Sequence, residues 1–78
     1  MRSMREIMNL VTDNELTTTD QARPVIEQQA QELAVIRHCT VDEAREEVRR
    51  DLELAALLCS PTRRSRFREI FDLKEPNE

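Results

Sequence analysis

The chain has no glycine in its 78 residues, where average usage of roughly 7% would supply about five. That absence removes the phosphate-cradling loops of Walker and Rossmann type, whose backbone must approach the ligand closely. It also removes Asn-Gly and Asp-Gly hairpin turns and the usual glycine at helix C-termini. Tyrosine and tryptophan are missing too, and Phe67 and Phe71 are the only aromatic residues. Large core anchors are therefore scarce. A single core in so small a domain supplies only about 3–5 kcal/mol, and such domains commonly rely on a staple, a metal or a partner subunit.

Long apolar runs are lacking as well. None approaches the ~20 residues needed to span a bilayer. Arg5 and Glu6 interrupt the opening stretch where a signal peptide needs an unbroken apolar core. The sequence predicts a soluble, cytoplasmic chain with no membrane contact.

Cysteine and histidine are sparse: Cys39, Cys59 and His38. A helix between the two cysteines would hold them roughly 28 Å apart, whereas a disulfide needs Cα atoms within about 7 Å. The same separation prevents one chain from closing a metal site from these three residues. Only an antiparallel pair of copies would bring Cys39 near Cys59. Small buried thiols are the expectation. His38 and Cys39, as neighbours on a helix, point about 100° apart and do not form a catalytic pair. The acidic pairs Asp42/Glu43 and Glu46/Glu47 fall on an open helical face with arginine partners, without the water-excluded pocket that acid–base catalysis needs. The sequence predicts no enzyme, no cofactor and no metal.

What is present is a surplus of strong helix formers: Ala, Leu, Glu, Gln and Arg. The fold class is all-α, a small bundle of about four helices completed by homodimerisation, with a single domain over residues 1–73 and a polar tail over 74–78. Met4, Ile7, Met8 and Val11 repeat at i, i+3, i+4, i+7 and predict a first helix over 2–12, its methionines packed in the core. A polar connection follows over 12–20. Thr19 or Asp20 is the expected cap of a second helix that starts around 20–24, with Pro24 in its first turn, and runs to about His38. Its inward stripe is Ala22, Ile26, Ala30, Leu33 and Ile36 or Arg37, with Gln28, Gln29, Gln31 and Glu32 outside. Thr40 and Glu43 fit a capping box. The third helix then runs from Val41 to about Cys59 with Val41, Ala44, Val48, Leu52, Ala55 and Cys59 on one stripe, and Glu46–Arg50 and Glu47–Arg50 pairs on its outer face. Ser60-Pro61 opens a fourth helix over 61–73 that turns Phe67, Ile70 and Phe71 inward.

The third helix changes character after residue 53. From Leu54 to Cys59 it is apolar all round, and such a helix must be covered all round. A second copy is the simplest cover, so Leu54, Ala55, Leu57 and Leu58 are the candidate dimer interface. Directly after them come Arg63, Arg64, Arg66 and Arg68, the candidate partner- or anion-binding group. Net charge is −4; of residues 1–39, 40–60 and 61–78, which carry −2, −3 and +1, only the last have a positive balance. Arg63 and Arg64 lie in the first turn of the fourth helix, where its dipole disfavours cations. They also lie just beyond the third helix, where cations meet unpaired carbonyls. The carbonyl-satisfying role is the ordinary reading; recognition of acidic side chains or phosphates is the other.

Two functions follow. The leading one is a non-catalytic protein–protein interaction module (adaptor, inhibitor or regulator) acting as a homodimer with a further protein partner. The alternative is a nucleic-acid-binding regulator using the arginine-rich helix. Against the alternative, the helix that would enter the major groove in a helix-turn-helix arrangement is the most acidic segment, and phosphates would repel it.

Overall fold

Helix starts in this chain are closed by short polar side chains folding back onto the first free amides. The computed structural model describes residues 2–73, and among them are four helices and no strand: α1 Met4–Thr12, α2 Thr19–Arg37, α3 Val41–Leu57 and α4 Pro61–Phe71. The tail expected over 74–78 lies outside the described residues. Reciprocal capping boxes start α1 (Ser3 with Glu6), α2 (Thr18 with Gln21) and α3 (Thr40 with Glu43), each satisfying two amides that would otherwise lack partners. The cap of α2 is thus Thr18 rather than Thr19 or Asp20. With α2 starting earlier, Pro24 falls beyond the first turn. It has no N–H for the Asp20 carbonyl, and both residues are exposed, so water can serve that oxygen. Ser60 occupies the cap position of α4 without a side-chain cap bond, and Pro61 alone pre-sets the first turn.

Without glycine, left-handed backbone among the described residues falls to Asn14 (φ 62°), His38 (φ 56°) and Asp72 (φ 54°). Asn, Asp and His are the non-glycine types enriched in that region. His38 ends α2, and its N–H and that of Cys39 both reach the Ala34 carbonyl. The two-residue step to Thr40 then folds α3 back along α2.

The α2–α3 pair is the most extensive helix contact. Ala22, Ala30, Ala44 and Ala56 are fully buried, so the two backbones approach closely. α4 packs against both, and α1 lies on α3 and α4. Phe67 and Phe71 are buried together with ring centroids 4.8 Å apart and planes tilted by 47°, within the favourable range for aromatic pairs. The Cα radius of gyration is 12.1 Å, close to the ~11–12 Å of a compact domain this size.

Several sequence expectations shift. Leu16, from the supposedly polar connection, is buried, its N–H and that of Glu15 bonded to the Leu10 carbonyl. Gln29 is inside rather than outside. Its Oε1 accepts from the Arg2 N–H at 2.9 Å and its Nε2 donates to the Arg2 carbonyl at 2.9 Å, so its burial leaves no unpaired amide. This clasp ties the segment before α1 to the middle of α2. The Glu46–Arg50 and Glu47–Arg50 pairs are not formed. Instead Glu47 meets Arg37 at 2.9 Å, and Arg45 bridges Glu27 (2.6 Å) and Asp42 (2.7 Å). Partners on the neighbouring helix outcompete those on the same face.

The Arg45 bridge makes a pH prediction. Hydrogen bonding from Arg45 holds the Glu27 carboxyl below its ordinary value of 4.5, against a smaller opposing effect of burial. A carboxyl depressed in the folded state contributes stability above its unfolded pKa, and loses it as pH falls through the folded one. Glu27→Gln should therefore lower the melting temperature at neutral pH and flatten its decline below about pH 4.5. Glu6, lowered chiefly by its backbone hydrogen bond at Ser3, keeps some slope in the variant. Melting curves from pH 2 to 7 with equal slopes for both proteins would contradict the assignment.

Candidate functional site

The inward arc of α3 runs through Ala44, Val48, Leu52, Ala55 and Ala56. At 3.6 residues per turn, Leu54, Leu57 and Leu58 fall outside it. They are 63%, 52% and 80% exposed, forming an apolar ridge at the C-terminal end of the helix. Ala55 is buried in the protomer's own core and reaches the surface only as part of the lining of the groove beside Leu54 and Leu58.

A second exposed pair was not among the sequence candidates. Val35 and Ile36, at the C-terminal end of α2, are 75% and 61% exposed. The run Leu33-Ala34-Val35-Ile36 carries the same all-round apolar signal as the end of α3. The inward stripe of α2 stops at Leu33 and Ala34, before reaching Ile36 or Arg37, and Val41 at the start of α3 is exposed rather than on the inward stripe.

The ridge borders α1. Ile7 and Val11 are core, but Met4 and Met8 are only half-buried. They line one side of a groove of about 490 Å³ whose other side is Leu54 and Leu58, with Arg5 and Asp51 at its edges. Past Met8 and Leu58 the surface deepens into a well of about 190 Å³ between α1 and the α3–α4 turn. Val11 and Phe67 form part of its lining, with Arg63 and Arg66. Methionine suits such a wall because its thioether repacks easily.

The four candidate arginines divide. Arg64 turns back onto α3: its Nε donates to the Ala56 carbonyl, and its Nη2 to the carbonyls of Leu57 and Cys59, all at 3.2 Å. A helix end leaves carbonyls such as that of Leu57 without an intrahelical donor, while the Ala56 carbonyl also accepts from the Cys59 N–H. Arg64 therefore has the carbonyl-satisfying role. Arg68 lies half-buried in the last turn of α4, where a cation suits the helix dipole. Arg66 donates to the Asn14 side-chain oxygen. Arg63 is exposed and makes no hydrogen bond or ion pair among the described residues. Arg64→Met, which keeps the stem, should cost about 1–2 kcal/mol, since charge-assisted hydrogen bonds are worth ~1.5–3 when buried and these are partly solvated. Arg63→Met should stay within about 0.5 kcal/mol of wild type. Urea denaturation of both variants separates the roles, and equal midpoints would contradict the division.

Cys39 and Cys59 are free and half-buried, at opposite ends of α3. The Cys59 Sγ lies 3.6 Å from the Ala55 carbonyl. His38 is exposed. Among the described residues no three His, Cys, Asp or Glu side chains group as metal ligands, and no helix is long and apolar enough to cross a membrane. Comparison with protein-family models, with curated proteins and with solved structures finds no match to this chain.

Proposed function

We propose that this chain is a non-catalytic interaction module that works as a homodimer, with the Leu54–Leu57–Leu58 ridge seated on a second copy. The observation that carries the reading is the exposure of Leu54, Leu57 and Leu58 at one end of a single helix in a domain with two aromatic residues. Clustered exposed apolar side chains mark interaction surfaces, and a C2 contact needs a patch that can face itself. The ridge and its α1 border meet that need. Apolar side chains occupy the centre, and Arg5 and Asp51 at the edges of the adjoining groove offer one charge of each sign for a pair related by a two-fold axis. A protein partner bound elsewhere on the dimer would make it an adaptor, inhibitor or regulator.

The nucleic-acid alternative has less support. Phe67 and Phe71 are buried and cannot stack on bases, Arg64 is engaged with carbonyls, and α3 remains the most acidic element. Sedimentation velocity over a concentration series tests the proposal. Mass that rises from monomer to dimer supports it; a single 9.2 kDa species at every concentration overturns it.

A further inference from the structure

The well beside the ridge has its own chemistry. At about 190 Å³ it is smaller than the ~300–1,000 Å³ of typical small-molecule sites, and is on the scale of one inserted side chain. Met8, Val11, Leu58 and Phe67 give it an apolar part, Thr12, Cys59 and Ser60 a polar one, and Arg63 and Arg66 are the only charged residues lining it. The two arginines, three residues apart on α4, are neighbours on its surface. Neither charge is neutralised: Arg63 has no partner among the described residues, and Arg66 bonds a neutral amide that leaves other guanidinium N–H groups available. On a chain of net charge −4, two unneutralised guanidinium groups beside the apolar Met8 and Leu58 suit an anion attached to an apolar group.

We propose that the well between α1 and the α3–α4 turn, edged by Arg63 and Arg66, takes an acidic segment of another protein. An apolar side chain enters the pit, and a neighbouring carboxylate lies across the two guanidinium groups. Planar guanidinium and carboxylate pair through parallel hydrogen bonds, a geometry lysine does not reproduce. A nucleic acid fits less well, since it brings no aliphatic anchor for the pit and needs a longer track of cations. The proposal goes beyond self-association: Leu54 and Leu57 stand outside the well, and Met8 and Leu58 are the residues it shares with the ridge and its α1 border.

Selection of short random displayed peptides on the full chain tests this, followed by fluorescence polarisation with the selected peptide. The expected peptides carry Leu, Met or Phe within one helical turn of Asp or Glu. Replacing their acids by Asn and Gln should weaken binding about tenfold or more. Arg63→Gln/Arg66→Gln should do the same with an unchanged circular dichroism spectrum, and Leu54→Lys/Leu57→Lys, which tests the dimer, should bind the peptide as wild type does. The proposal is overturned if no peptide binds saturably, if selected peptides lack acids, if the arginine variant binds as tightly as wild type, or if the leucine variant loses the peptide. A single-stranded oligonucleotide that binds more tightly than any peptide would also overturn it and point to a nucleic-acid partner.

Discussion

Leu54→Lys/Leu57→Lys should sediment as a monomer at concentrations where the wild type is dimeric, with its helical content intact. Both positions are more than half exposed in the protomer, so the loss falls on association. Covering each leucine is worth about 1–2 kcal/mol given the area it still presents. A two-fold dimer holds each position twice, so the variant removes four leucines, about 4–8 kcal/mol. This raises the dissociation constant about a thousandfold or more at 1.4 kcal/mol per factor of ten, and burying four ammonium groups would raise it further. Lysine is the suitable replacement because both sites lie in the last turn of α3, where a cation complements the helix dipole, and Glu53 stands four residues before Lys at position 57 in the favourable order. Leu58 is left unchanged because it also lines the well. If the variant dimerises as wild type does, the ridge is not the contact.

Phe67→Ala should leave the chain largely unfolded at 25 °C. Phe67 is among the largest fully buried side chains and packs, with tilted rings, against the only other aromatic residue. Truncating a buried phenylalanine costs about 3–5 kcal/mol, comparable to what a core of this size supplies in total. The expected observation is loss of far-ultraviolet helical signal in dilute samples, where association adds least to stability. Phe67→Leu keeps most of the volume and should stay folded with a lowered melting temperature. At roughly 4–8 °C per kcal/mol for a domain this small, an alanine variant melting within a few degrees of wild type would show that the core does not rest on Phe67.

The helices were legible because their signals are local. Apolar positions at helical spacing, Thr40 with Glu43, and Ser60-Pro61 each act within a few residues, and the inward turn of Phe67, Ile70 and Phe71 follows from their spacing alone. The excess apolar circumference of α3 was legible for the same reason. The departures are tertiary. Nothing near Gln29 says that the backbone of Arg2 will meet it across 27 positions of sequence, and a polar side chain is placed outside by default. Arg45 pairs with Glu27 and Arg37 with Glu47 because α2 and α3 lie side by side, a neighbour relation that pattern alone does not contain. Arg64 could be assigned to the α3 carbonyls only in outline, since both readings put a cation at the same turn; the three hydrogen bonds distinguish them. Met4 and Met8 have the periodicity of core residues, and only the placement of α1 against the end of α3 leaves them lining a groove. The exposed pair Val35 and Ile36 carried a readable signal that the helical stripe obscured.

The most direct test of the account is an isotope-filtered NMR measurement on a mixture of labelled and unlabelled chains, which reports only contacts between copies. The account predicts intermolecular contacts at the methyl groups of Leu54, Leu57 and Leu58. Intermolecular contacts confined to Val35 and Ile36, or none at any concentration, would contradict it.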